Sequence, residues 1–134
     1  MKGRVLHLLS QRPWLTGSGV TLDAMIRCAS PRGWEQAAAV GIPAAEEITD
    51  IGGLLSDRIF PLRFETPPLD YPLPGMSDVM PYPSSRFSAL SSEQIAAYKN
   101  EWRRHLSSVL SSFSPDLIHT HHFWIMSMLN WKLS

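Results

Sequence analysis

The chain has a single cysteine, no long hydrophobic run, no excess of either charge and no internal repeat. Each absence removes a class of protein. Cys28 alone cannot form an intramolecular disulfide, so a disulfide-stapled scaffold is excluded and a reducing, cytoplasmic setting fits. No stretch approaches the roughly 18 consecutive apolar residues of a membrane span, so no integral membrane segment is expected. Peripheral contact with the inner face of a membrane stays open. Twelve Lys and Arg residues balance twelve Asp and Glu residues. No global field then draws the chain to nucleic acid, although a local site can still bind phosphate.

What is present points to one α/β domain, since 134 residues are too few for two comfortable ones. Val5 to Leu9 is a short apolar run suited to a parallel strand covered on both faces. A signal peptide fits it poorly, because His7 interrupts the run and Gln11-Arg12 follow at once. The loop from Ser10 to Gly19 holds two glycines and a proline. From Val20 to Ala29, the residues Leu22, Met25, Ile26 and Ala29 recur at helical spacing. Pro31-Arg32-Gly33 closes that helix, and Ala37 to Val40 reads as a second strand ending at Gly41. Strand, glycine loop, helix and strand in that order open a Rossmann-like, doubly wound parallel sheet.

Ile59-Phe60-Pro61-Leu62 is a candidate third strand. Phe64 to Leu90 then contains six prolines and Gly75, with neither helical nor strand period. Structureless stretches of that length in compact domains are often binding loops, and its aromatics and methionines argue against simple disorder. Ser91-Ser92-Glu93-Gln94 predicts a capping box. Behind it Ile95, Tyr98, Trp102, Leu106, Val109, Leu110 and Phe113 make one apolar stripe. Burying that stripe contributes on the order of 10 kcal/mol before entropy is subtracted. Pro115 ends the helix, Leu117-Ile118 begins another strand, and Phe123 to Leu129 starts a further helix.

Two constellations carry chemistry. Thr16-Gly17-Ser18-Gly19 lies between a strand and a helix N-terminus, where glycines admit close approach and free amides suit a phosphate. It lacks the third glycine of a dinucleotide fingerprint and the lysine of a P-loop, so an ordinary tight turn is the competing reading. The second is Asp116-Leu117-Ile118-His119-Thr120-His121-His122. Ligands of open α/β sheets bind outside the carboxyl ends of strands, where these histidines fall. Alternation sends His119 and His121 to one face. They can move protons, donate hydrogen bonds to a sugar, hold a metal, or simply pack. The metal reading is the weaker, because only His7 and His105 remain to complete a ligand set and His105 lies within the amphipathic helix. Cys28 has no histidine or CxxC partner and reads as a buried or inert thiol. Arg86 could meet an anionic acceptor, but loop anchoring competes.

Taken together, Arg4 to Ser10, the Leu15-Thr16-Gly17-Ser18-Gly19-Val20 loop and Pro115 to Trp124 resemble the N-terminal domain of family-four glycosyltransferases of the two-domain GT-B fold. The Pro74 to Tyr82 loop looks like a bacterial subgroup of that family. The resemblance covers the chain to about Met128. It implies retaining transfer of a sugar from a nucleotide-sugar donor to an acceptor hydroxyl, on a sugar or a lipid-linked molecule, with no cofactor and no catalytic metal. Residues matched to the family's motifs inherit roles. Gly17, Ser18 and Gly19 would lie at the donor diphosphate, and His121 would hydrogen-bond the transferred sugar. The Pro74 to Arg86 loop would face the acceptor, with Ser77, Arg86 and His122 as candidates.

The resemblance further implies that 1–134 is an incomplete, acceptor-side half. The family's donor-binding arginine and lysine, its paired glutamates and its nucleobase pocket belong to a C-terminal domain. Glu93 and Glu101 have the family's glutamate spacing but not its glycine-bearing context. Glu93 reads instead as a first-turn residue and Glu101 as solvated surface. Two other readings stay open: a non-enzymatic truncated or split-gene product, and a stand-alone nucleotide-binding or phosphate-binding α/β module.

Overall fold

A computed structural model describes residues 2–75 and 80–121. Ser77, His122 and the apolar stretch from 123 to 129 lie outside the described residues. The first strand, β1, runs over Gly3–Leu9, and Leu6, Leu8 and Leu9 are fully buried. A strand buried on both faces has to be apolar almost throughout. The first helix, α1, spans Gly17–Ala29. It begins three residues before the periodic stripe, because Thr16 caps it by accepting from the amide of Gly19 and so draws the glycines into the first turn.

The second strand, β2, covers Trp34–Pro43 and is longer than its small-residue centre suggests. Its residues from Trp34 to Val40 pair with β1, starting at Gly3 opposite Trp34. Its far end pairs with the third strand, β3, Ile59–Phe64. Pro61 is tolerated within β3 because, among the described residues, that strand is an edge of the sheet. The second helix, α2, occupies Ser92–Phe113, with both capping-box bonds of Ser91 and Gln94 formed. The last described strand, β4, is Leu117–Thr120.

The sheet is parallel throughout, in the order β3-β2-β1-β4. α1 packs one face through Leu22 and Ile26 onto Leu9, Ala38, Val40, Ile42 and Ile59. α2 packs the other through Tyr98, Trp102, Leu106, Val109 and Phe113 onto Leu6, Leu8, Ala37, Ala39 and Leu62. Helices on both faces of a parallel sheet make a doubly wound α/β architecture.

The proline-rich section is ordered against this frame. Phe64, Leu69, Tyr71 and Leu73 enter the α2-side core, and Tyr82 is buried as well. A bridge joins Pro74 to Ser85, and a single 3-10 turn forms at Phe87–Ala89. Side-chain anchors and short backbone bridges hold it together. Two expectations need correction. Cys28 is exposed, because it falls on the outer side of α1, where the Arg32 guanidinium reaches its sulfur at 3.0 Å. Glu101 is mostly covered, its side chain 16% exposed beside Arg104. Among the described residues no helix is long and apolar enough to cross a membrane.

Candidate functional site

Strand order decides where a site can form. β1, β2 and β3 proceed to one side and the connection from β3 crosses back to set β4 on the other side of β1, so the strand order reverses between β1 and β4. Such a switch point opens a crevice beyond the strand ends. The glycine-bearing turn follows β1 and the histidine run closes β4, so both flank it.

On the β1 side, Thr16 organises the turn. Its Oγ1 accepts from the Gly19 amide at 3.0 Å and donates to the Arg12 carbonyl at 2.9 Å. The Val20 amide bonds to the Thr16 carbonyl at 3.1 Å. The amides of Gly17 and Ser18 precede the first intrahelical bond and so have no acceptor within the helix. They border a cleft of about 360 Å³ shared with Gln11, Met80 and Pro81.

The two glycines differ in kind. A Cβ on Gly19 would lie 2.2 Å from the Pro13 carbonyl oxygen, whereas one on Gly17 would meet nothing within 4 Å. Gly19 is required by packing. Gly17 leaves open space in front of the helix. The proline-rich loop is fixed against this turn, since Gln11 Nε2 donates to the Pro74 carbonyl at 3.0 Å. The Arg12 guanidinium stacks 4.5 Å from the Tyr82 ring centre and pairs with Glu46 at 2.6 Å. Gln11 and Arg12 had no sequence signal beyond their proximity to the turn, and Tyr82 was read only as an aromatic of the proline-rich section. Arg86 is exposed and sits at the start of the 3-10 turn.

On the β4 side, pairing of β1 with β4 sets His7 directly opposite His119. Alternation places His121 beyond the strand end on the same face, and its amide still bonds to the Leu8 carbonyl at 3.1 Å. The His119 and His121 rings have centres 4.5 Å apart, and His7 lies 5.4 and 6.0 Å from them. Three histidines thus gather on the α1 side of the sheet. Sequence reasoning counted His7 only as one of two histidines remaining for a ligand set, because only the strand order makes β1 the neighbour of β4.

A glutamine fixes the chemistry of the buried member. Gln36 Nε2 donates to the Ile26 carbonyl at 2.9 Å and to Ser30 Oγ at 3.0 Å. A carbonyl only accepts, so the amide nitrogen must face it and the amide oxygen faces His7. His7 Nε2, 2.8 Å from that oxygen, therefore carries the proton. Burial lowers the His7 pKa, the Gln36 bond partly opposing it and the charge of His119 adding to it. His7 is neutral and its Nδ1 presents a lone pair, 3.3 Å from His119 Nδ1. A cavity of about 290 Å³ adjoins the pair, lined by Val5, Met25, Ala29, Trp34 and Gln36 among others.

His105 takes no part. Its Nε2 donates to the Phe60 carbonyl at 2.8 Å on the far face, and burial lowers its pKa. Comparison with protein-family models, with curated proteins and with solved structures gave no match.

Proposed function

We propose that this chain is the acceptor-side, Rossmann-like half of a retaining glycosyltransferase, with the GT-B architecture that its motifs resemble. One observation carries the reading: the glycine-bearing first turn of α1 and the histidine run after β4 flank the same switch point of the parallel sheet. In this arrangement the Gly17 and Ser18 amides and the positive end of α1 take part of a nucleotide-sugar diphosphate. His121 hydrogen-bonds the transferred sugar and helps hold donor and acceptor in line. The chain would then contribute positioning and electrostatic stabilisation, with no covalent bond to histidine. The Pro74 to Arg86 loop, tied to the turn through Gln11 and Arg12, faces the acceptor. Ser77 and His122 remain candidates there. The nucleobase and most of the donor belong to a second domain, so 1–134 alone does not turn over sugar.

Titration of the ¹⁵N-labelled chain with uridine, guanosine and adenosine diphosphates tests this. The expected result is movement of the Gly17 and Ser18 amide signals with a Kd on the order of 1 mM, worth about 4 kcal/mol, and no hydrolysis or transfer from nucleotide sugars. No movement at those amides would overturn the diphosphate role. Appreciable turnover by the chain alone would overturn the need for a second domain. Micromolar binding would favour a stand-alone nucleotide-binding module instead.

A further inference from the structure

We propose that His7, His119 and His121 form a binding site for a zinc-like transition-metal ion, with a fourth coordination position left for water. Their candidate ligand atoms all lie within 4.8 Å of one another. Two further observations go beyond that proximity.

The first is the separation of His7 Nδ1 and His119 Nδ1, 3.3 Å. Zinc–nitrogen bonds of about 2.0–2.1 Å at a tetrahedral angle set two ligand nitrogens about 3.3–3.4 Å apart. The observed spacing falls there, while it is long for a hydrogen bond from N–H, which favours about 2.7–3.2 Å. His121, just beyond the end of β4, supplies the third ring, its ligand atom within 4.8 Å of the other two.

The second is the preparation of His7. A metal-binding imidazole points one lone pair forward and donates from its other nitrogen to an oxygen behind. His7 meets each condition through Gln36, whose amide is itself held by Ile26 and Ser30. Three neutral imidazoles select zinc, cobalt, nickel or copper and reject magnesium and calcium, which prefer oxygen ligands. Three histidines and a water are also the set that leaves a zinc ion open to exogenous ligands. The cavity beside His7 and His119 gives such a ligand room. The ion engages His121, so it would compete with hydrogen bonding of that ring to a sugar.

The inference rests on side-chain geometry and stands apart from the transfer reading; metal binding and nucleotide binding are measured separately. The test is titration of zinc into the full, chelator-stripped chain at pH 7.5, in competition with a chromophoric chelator. The expected result is one ion per chain with a Kd of about 1 μM or tighter, and cobalt giving the intense visible bands of tetrahedral coordination. His119→Gln and His121→Gln should each weaken binding at least tenfold. Gln36→Ala should weaken it about tenfold or more, the usual effect of removing a ligand's hydrogen-bond partner.

Circular dichroism of each metal-free variant checks folding. Should a variant not fold, the histidine ring signals of the unaltered chain decide instead: zinc must shift those of His7, His119 and His121 and leave His105 in place. Absence of stoichiometric binding would overturn the site. So would binding untouched by the double His119→Gln, His121→Gln change, or binding equally tight in the urea-unfolded chain.

Discussion

Gly17 and Gly19 stand two residues apart in the first turn of α1 and meet opposite surroundings. Gly19→Ala drives its methyl group into the Pro13 carbonyl and the Thr16 hydroxyl, and neither can retreat without opening the cap. We expect a loss of about 1–3 kcal/mol, the usual range for overpacking, measured by urea denaturation. Gly17→Ala meets open space and should leave stability unchanged or raise it by up to about 1 kcal/mol. In a diphosphate titration it should nevertheless reduce the response of the first-turn amides. The pair separates a packing requirement from a binding one.

His105 offers a second prediction at this scale. Its folded-state pKa lies below the ordinary value of 6.5, chiefly through burial. The unfolded chain therefore takes up a proton at a pH where the folded chain does not. Its contribution is fully present above about pH 6.5 and declines as pH falls below that, by at most ~1.4 kcal/mol per pH unit. Urea denaturation at pH 7.5, 6.0 and 5.0 should show this decline, and His105→Gln should flatten it. His7 has the same sign, so part of the slope will survive in that variant.

At the scale of elements, α2 is specified most completely. Its capping box closes with bonds of 3.1 and 2.8 Å, and five stripe residues are buried. Trp102 is fully enclosed between Tyr98 and His105. Trp102→Ala should cost about 3–5 kcal/mol, enough to unfold much of the population in a marginally stable domain. Ser91→Ala should cost only about 1 kcal/mol. Thermal melts of the two variants should differ accordingly. Equal losses would show that α2 is held by its cap rather than its face.

At the scale of the whole molecule, protection should follow strand position. β1 and β2 each have partners on both sides, while β3 and the four-residue β4 pair on one side among the described residues. Amides of β1 and β2 should exchange with solvent slowest, and those of β4 among the fastest in the sheet. Slow exchange throughout β4 would mean that this strand is supported more strongly than its single partner allows.

Local patterns were legible from the residues alone. Apolar runs gave away the strands, the 3.6-residue stripe and the serine cap marked α2, and proline and glycine placed the breaks. The expected start of α1 was late because a threonine cap overrides the apolar period. β2 was longer than expected because both of its ends acquire partners that no local window contains. The proline-rich section showed no period because it is held by separate aromatic anchors in a core made elsewhere.

The sequence by itself therefore determined which segments become strand or helix and which side chains could do chemistry, since both depend on neighbours a few residues away. Only the tertiary structure decided that β1 lies beside β4. That single adjacency sets His7 across from His119, 112 positions later in the chain. The pairing of β1 with β2 in turn brings Gln36, 29 positions away, to His7. Contacts between residues so distant are settled by the packing of whole elements, which no short stretch of sequence encodes.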